Sequence, residues 1–415
     1  MTLIEFYDRA PIENIISCIA AKPDKVIFIG GEKRMFKQGE QLEKFCRLKS
    51  YKVEFRYVRV NKYDLWGIAD KLYEIIEEED ECVFDLNGGD DLSLVAMGIV
   101  YQMYAQKGRH IQMHRYNINS GVVSDCDRDG KVLPIPHQCI SVDDNILLHG
   151  GAIRYRDDEL DRDGTVRWTL DDEFKADVRA MWNICKRNPS KWNLLAGRLS
   201  ELEHRSGNID EICSISVEQS ADTNENIVAK VDSVVPLLYR LSQSGLVRNL
   251  RSGRREIAYE YKNERIHNCI KKAGTVLELM VLVLASEAMD KDGKPKYNDA
   301  MSGVCIDWDG EFGGGEYGID VENEIDVFLM RGLVPILISC KNGMTDIDEL
   351  YKLSTVANRF GGPYAKKVLV ATHINKSFKS QTAFRLRAEE MNIELISNVH
   401  KLTDEEFAAK IKNLK

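Results

Sequence analysis

Apolar and polar positions along the first 150 residues follow two alternating rhythms. Unbroken apolar or β-rich runs occur at Leu3-Tyr7, Lys25-Ile29 (KVIFI), Val53-Val60 and Cys82-Leu86 (CVFDL), and again around Ile111. Between them, apolar residues recur three and four positions apart over Ile12-Ala21, Gly39-Leu48, Asp64-Glu78 and Leu92-Gln106. The first rhythm is that of strands covered on both faces, the second that of helices with one buried stripe. Their alternation predicts βαβ units and a parallel, Rossmann-like sheet. From Asn117 to Tyr155 the runs shorten and turn signals (NSG, DRDG, LHGG) crowd together, predicting a hairpin appendage.

The rhythm changes from about Asp172. VVPLLYRLSQSGLVRNL has the spacing of an amphipathic helix that stops at Ser244-Gly245. A short strand (Leu246-Arg248), a basic turn (Arg251-Ser252-Gly253-Arg254) and a second strand (Glu256-Tyr261) follow, which is the ending of a winged helix. With no basic recognition helix ahead of the hairpin, this segment reads as a linker. From about Ala273 a third order is predicted. A helix (Gly274-Met289) leads to three strands (GVCIDW, Val321-Leu329 and Leu333-Cys340), then a helix (Thr345-Phe360) and a strand (Lys367-Ala371).

Composition narrows the choices. A chain of 415 residues suggests two or three domains. No apolar run reaches the ~20 residues that span a bilayer, and the first residues lack a basic n-region and cleavage site. Ten cysteines stand singly with no C-x-x-C pair, which fits reduced thiols and a cytoplasmic protein. The net charge of −9 excludes a uniformly basic nucleic-acid binder. It leaves room for a local stripe: between Arg240 and Lys272 there are nine Lys/Arg against three Glu.

Candidate chemistry lies in two stretches, Asn323-Glu324-Ile325-Asp326 and Ile338-Ser339-Cys340-Lys341. Alternation puts Glu324 with Asp326, and Ser339 with Lys341, on one face of each strand. Carboxylate oxygens suit Mg²⁺ or Mn²⁺, and an ammonium beside them can orient water and neutralise a phosphorane. An ordinary hairpin with two exposed charges contains the same residues. A second group is Asn87-Gly88-Gly89 after CVFDL, with Asp90 or Asp91 capping the next helix, and Gly30-Gly31 after KVIFI, followed by Lys33. Both loops fall at the carboxyl ends of parallel strands, where α/β sheets bind ligands. The spacing is not G-x-G-x-x-G, so a dinucleotide is not expected.

The order of elements from Ala273 to Ala371 resembles the PD-(D/E)xK restriction-endonuclease-like core. Leu277-Glu278 supplies its helix acid, Asp326 its hairpin acid and Ser339-x-Lys341 its last motif. That resemblance implies catalytic roles for Asp326, Lys341, Glu278 and Ser339, and a metal held by Asp326, Glu278 and Cys340. Ser339 departs from the pattern, which has an acid there; Glu278, Glu324, Asp307 or the Cys340 carbonyl could supply the missing oxygen. The N-terminal segment resembles the CARF (CRISPR-associated Rossmann fold) domain through Asn87-Gly88-Gly89, through Asp8-Arg9 before Pro11-Ile12-Glu13-Asn14, and through Val142-Asp143-Asp144 leading to Leu148-His149-Gly150-Gly151. The whole chain is similar to CARF–nuclease effectors of type III CRISPR systems.

The expected fold is therefore α/β. A Rossmann-like CARF domain spans 1–165, a winged-helix-like segment 166–265, and a PD-(D/E)xK domain 266–415. The resemblance implies a homodimer that binds a cyclic oligoadenylate, with cyclic tetra-adenylate the expected ring, through Asp8, Arg9, Gly30, Gly31, Lys33, Asn87, Gly88, Gly89, Asp90 and Asp91. Binding would then activate Mg²⁺- or Mn²⁺-dependent cleavage of DNA or RNA in antiviral defence. The competing expectation is a ligand-responsive nucleic-acid-binding regulator whose nuclease-like domain is inactive.

Overall fold

A computed structural model describes residues 1–31, 33–109, 111–118, 121–126, 132–133, 138–156, 164–205, 212–216, 225–253, 256–310, 322–374 and 378–414. The described residues form a mixed α/β structure with three sheets. The first third runs β1 (Thr2–Phe6), α1 (Pro11–Ala21), β2 (Lys25–Gly30), α2 (Lys33–Leu48), β3 (Glu54–Arg59), α3 (Leu65–Glu78), β4 (Cys82–Asp85), α4 (Asp91–Gln106) and β5 (Gln112–Asn117). These strands line up as β3-β2-β1-β4-β5, all parallel. Its central strands β1, β2 and β4 are buried almost throughout, as their unbroken apolar runs require. Because every crossover leaves from a carboxyl end, the loops after β1, β2 and β4 gather on one edge.

β6 (Val122–Asp125) and β7 (Val132–Leu133) extend this sheet antiparallel beyond β5. The expected appendage ends there. α5 (Val142–Leu148) and β8 (Ala152–Ile153) join the C-terminal part instead, where β8 pairs with Ile306 and Asp307 of the third sheet. The physical reason is burial: Val142, Ile146 and Leu148 close an apolar core that neither layer could close alone.

The middle comprises α6 (Asp172–Cys185), α7 (Pro189–Arg205), β9 (Ile212–Ser216), α8 (Glu225–Gln243), β10 (Val247–Ser252), β11 (Glu256–Tyr261) and α9 (Glu264–Lys271). Gly245, at φ 73°, ends α8 at the expected place. The hairpin β10–β11 forms as expected, and β9 adds a third antiparallel strand that sequence periodicity did not reveal.

The last part runs α10 (Thr275–Ser286), β12 (Asp299–Asp307), β13 (Glu322–Arg331), β14 (Val334–Thr345), α11 (Asp348–Gly361), β15 (Lys366–Ile374), α12 (Phe378–Glu390), β16 (Ile393–Ser397) and α13 (Asp404–Lys412). Its sheet has the order β16-β15-β14-β13-β12-β8, antiparallel through β12–β14 and parallel from β14 to β16. α10 (TVLELMVLVLAS) is apolar on nearly every side, so it lies inside the fold, against this sheet, α6 and α13. Burying each of its Leu, Val and Met side chains contributes roughly 1.5–3 kcal/mol.

One apolar core continues from the β1–β2 face of the first sheet to a face of the third, through Leu3, Ile15, Phe28, Val142, Phe328 and Phe360. Asn145 Nδ2 donates to the Phe360 carbonyl at 2.6 Å inside this seam. Among the described residues, no helix is long and apolar enough to cross a membrane.

Candidate functional site

Two places collect the residues singled out above. The first is the carboxyl edge of the parallel sheet. β4 ends at Asp85, and the chain turns through Asn87-Gly88-Gly89 into α4. Asn87 substitutes for a strand partner: its Nδ2 donates to the Tyr116 carbonyl at 2.7 Å, and its Oδ1 accepts from Tyr116 N at 2.6 Å. A Cβ on Gly88 would sit 2.4 Å from the Phe6 carbonyl oxygen, and Gly89 adopts φ 100°. Only glycine allows both the close approach and the left-handed backbone. Asp90 caps α4, accepting from Ser93 N at 3.0 Å and Ser93 Oγ at 2.8 Å.

A cavity of about 310 Å³ opens at this edge. Asp8, Arg9, Gly30, Gly31, Gly89 and Asp90 line it, with Tyr7, Lys62 and Ser93. Asn87 and Gly88 stand behind the wall, holding the loop to Tyr116 and Phe6. Asp91 is exposed at the start of α4, and Lys33 begins α2 with a side chain outside the described residues. Lys62 was absent from the sequence expectation. It follows β3 at the same edge, so the carboxyl-end rule pointed to it.

The loop is also wired outward. Asn87 Nδ2 donates to Glu13 Oε2 at 3.2 Å, and the Tyr364 hydroxyl donates to Glu13 Oε1. Glu13 is 8% exposed, so burial raises its pKa, while the Tyr364 and Asn87 hydrogen bonds pull it back. Tyr364 belongs to the 3-10 turn Gly362–Tyr364 between α11 and β15.

The second place is the β13–β14 hairpin. The ladder pairs Val327 with Ile338, and one position further on the side chain of Asp326 takes over the pairing. Asp326 Oδ2 accepts from Cys340 N at 2.6 Å and from Ser339 Oγ at 3.1 Å. Asp326 and Ser339 therefore share a side of the sheet, and alternation places Lys341 there too. Lys341 Nζ pairs with Glu349 Oε2 at 2.9 Å, in the first turn of α11. Glu349 was not foreseen; only tertiary packing brings it beside Lys341.

Glu278 enters from α10. Its pKa is pushed up to about 8, first by burial, then by the charges of Asp326 and Glu324, with Lys272 and Lys341 opposing. Asp326 is raised by burial as well, against Lys341, the Cys340 N–H and Ser339. Burial disfavours the Lys341 ammonium, but Glu349 and Asp326 outweigh it and its pKa rises. The charges of Asp326, Glu324 and Lys341 thus all act on the half-buried Glu278, while Glu324 itself stands exposed. Glu324, which pairs with Cys305 on β12, is the acid that joins Glu278 and Asp326 in this field. Asp307 lies at the far end of β12, paired with Ala152 and Glu322. The Cys340 thiol is buried in the apolar core, within reach of the charges of Asp326 and Glu278, and its backbone N–H donates to Asp326.

Carboxyl groups whose pKa values are raised by burial and by one another's charge, as those of Glu278 and Asp326 are, suit a hard divalent cation, which relieves the like-charge repulsion. Behind the hairpin, Asn342 donates through Nδ2 to Asn193 Oδ1 of α7 at 2.7 Å, and Asn193 donates to the Asn342 carbonyl. The middle segment therefore grips the strand one residue past Lys341.

No protein-family model and no curated protein sequence matches the chain. Its fold resembles the crystal structure of protein VC1899 from Vibrio cholerae, with TM-score 0.69 and 17% identity over 100% of this chain and 99% of that one. It also resembles Can2 from Sulfobacillus thermosulfidooxidans in complex with cyclic tetra-adenylate, with TM-score 0.65 and 15% identity over 99% of each chain. At these identities the likeness is one of fold, and it runs from end to end.

Proposed function

We propose that this chain is a CARF–PD-(D/E)xK effector of type III CRISPR defence: a cytoplasmic, metal-dependent endonuclease switched on by a cyclic oligoadenylate. In this reading residues 1–165 sense the ligand, 166–265 connect, and 266–415 cut. The observation that carries it is the convergence of Glu278, Asp326 and Lys341 from three elements into one charge field, with Asp326 clamped by the Cys340 N–H. The end-to-end fold likeness to Can2 with cyclic tetra-adenylate supports the choice of activator.

Asp326 and Glu278, with the Cys340 carbonyl, would hold Mg²⁺ or Mn²⁺, and Glu324, whose charge acts on both acids, would stand in for the pattern's missing acid. A bound divalent ion supplies Lewis-acid charge at a scissile phosphate. Lys341, held by Glu349, presents an ammonium to the developing phosphorane charge. Ser339 does not bind the ion in this scheme. It fixes the Asp326 rotamer, so that Oδ1 remains for the ion.

On the sensor side, Arg9 and Lys62 bring positive charge to the cavity, and the α4 N-terminus adds backbone N–H groups for phosphate. A cavity of about 310 Å³ is at the small end for a single drug-sized ligand. A ring of nucleotides therefore needs the matching cavity of a second copy. Leu94 and Val95 in the first turn of α4 and Trp66 in the first turn of α3 are exposed apolar side chains near this edge, suited to a homodimer contact.

The regulator reading gives the nucleic-acid contact to the winged-helix-like segment, where most of the basic stripe lies. Lys262 is taken up by Asp177 and Glu173, and Arg265 by Asp171, within the middle segment itself. That leaves the stripe weaker than its sequence count suggests.

The decisive experiment incubates the purified protein with Mn²⁺, a panel of cyclic oligoadenylates and labelled DNA and RNA. Cleavage that requires both the metal and one ring supports the proposal. Ring binding without cleavage of any substrate overturns the enzyme assignment. A separate expectation concerns pH. Glu278, with its pKa near 8, carries a proton at neutral pH, and an incoming cation must displace it. Mn²⁺ affinity should therefore rise with pH up to about 8, by up to about tenfold per unit, and level off above. Calorimetry in buffers of different ionisation enthalpy should show proton release; a flat profile with no release would remove Glu278 from the metal site.

A further inference from the structure

Between the two sites, the middle segment encloses another group of metal-ligating side chains. Glu203 of α7, Cys213 of β9 and His267 of α9 meet in its interior, 3%, 0% and 2% exposed. One ligand atom from each lies within 4.8 Å of the other two. His267 Nε2 is 3.5 Å from Glu203 Oε2, and Cys213 Sγ is 3.8 Å from Glu203 Oε1. Bonds to Zn²⁺ of about 2.0–2.3 Å place tetrahedral ligand atoms about 3.3–3.8 Å apart. His267 Nε2 and Cys213 Sγ each stand at such a distance from a Glu203 oxygen, Oε2 for the nitrogen and Oε1 for the sulfur.

The second observation is an orphan. His267 Nε2 is fully buried and has no hydrogen-bond partner among the described residues, although it is aimed at Glu203. Native cores rarely leave such a nitrogen unsatisfied. Its ring is held at a fixed angle by stacking on Tyr261, with centroids 4.7 Å apart and planes at 20°. The hydroxyls of Tyr259 and Tyr261 both donate to Glu203 Oε1, the latter at 2.6 Å. They orient the carboxylate and turn Oε2 toward the imidazole. A metal ligand held by hydrogen bonds of this kind is the usual supporting arrangement.

The geometry points to a structural zinc site built by Glu203, Cys213 and His267. One sulfur, one nitrogen and one oxygen donor suit zinc and disfavour Mg²⁺ or Mn²⁺. Three protein ligands leave the fourth position of a tetrahedral zinc to a water, and complete burial keeps that position away from any substrate. The site joins three elements that share no backbone continuity, and α9 leads within four residues into α10, which carries Glu278. Zinc here would brace the helix that brings an acid to the hairpin centre, without itself touching the chemistry.

Cobalt substitution tests this independently of any nuclease activity. Full-length protein is stripped with a chelator and titrated with Co²⁺, and the near-ultraviolet thiolate-to-cobalt charge-transfer band is followed. The hairpin centre offers oxygen ligands, so the band reports the thiol site alone. One equivalent should raise the band and a melting temperature above that of the stripped protein. Cys213→Ser should abolish the band, and His267→Gln should weaken Co²⁺ binding at least tenfold, while Asp326→Asn should leave it intact. The titration of the parent protein decides the matter even where a variant fails to fold. Absence of the band from folded parent protein, or its survival in Cys213→Ser, overturns the proposal and leaves a hydrogen-bonded carboxylate.

Discussion

Asp326→Asn protein is expected to lose ligand-triggered cleavage by about 10³-fold or more, the scale of removing one preorganised charge-stabilising group. The substitution suits the purpose because asparagine keeps an acceptor for the Cys340 N–H and the Ser339 hydroxyl. The hairpin should therefore stay closed, with thermal unfolding and binding of the cyclic ligand close to those of the parent. What disappears is a negative charge that acts on both Lys341 and Glu278. Lys341→Ala should lower the rate by about 10²–10³-fold for the complementary reason. It also releases Glu349 and Glu278 from a counter-charge, so its effect will not simply add to that of Asp326→Asn. Single-turnover cleavage with saturating ligand measures both. Retention of most of the parent rate in Asp326→Asn would place the chemistry elsewhere.

The second large effect is expected far from the scissile phosphate. In Tyr364→Phe, activation by the ligand should fall by about 5–150-fold, the span of typical coupling free energies. Ligand-free background cleavage should stay near that of the parent. Tyr364 donates to Glu13, Glu13 accepts from Asn87, and Asn87 holds the loop that walls the ligand cavity. In the other direction Tyr364 closes the end of α11, whose first turn presents Glu349 to Lys341. A helix of 14 residues is about 21 Å of stiff rod. Sensor and hairpin centre are thus joined by hydrogen bonds at one end and an ion pair at the other. Phenylalanine keeps the ring and removes only the hydroxyl, which leaves the buried Glu13 short of a donor at a cost of about 1–3 kcal/mol. Thermal unfolding will register that cost. The coupling is read from the ratio of cleavage rates with and without ligand; an unchanged ratio would mean that the signal travels another way. Reciprocity adds a check, since a variant that has lost coupling must also lose any effect of bound substrate analogue on ligand affinity.

What the chain determined by itself follows from short-range rules. KVIFI and CVFDL read as strands buried on both faces, and their alternation with helices implied a parallel sheet. That sheet brought Gly30, Gly31 and Gly89 to one edge because every β-to-α turn leaves from a carboxyl end. Strand alternation likewise put Asp326, Ser339 and Lys341 on one side of a hairpin, and Ser339 and Asp326 touch as a result. Tertiary structure alone decided the partners that come from distant segments. Glu349 reaches Lys341, Asn193 reaches Asn342 and Tyr364 reaches Glu13 across separations of 8, 149 and 351 residues. None of these pairs leaves a periodic signal, because each depends on how packed layers dock and not on how a strand or helix repeats. The same holds for α5 and β8, which read as part of a hairpin appendage but pack on and pair with the C-terminal sheet, where they complete its apolar core. Local patterns specify which face of an element is buried; only the assembled cores specify which neighbour buries it.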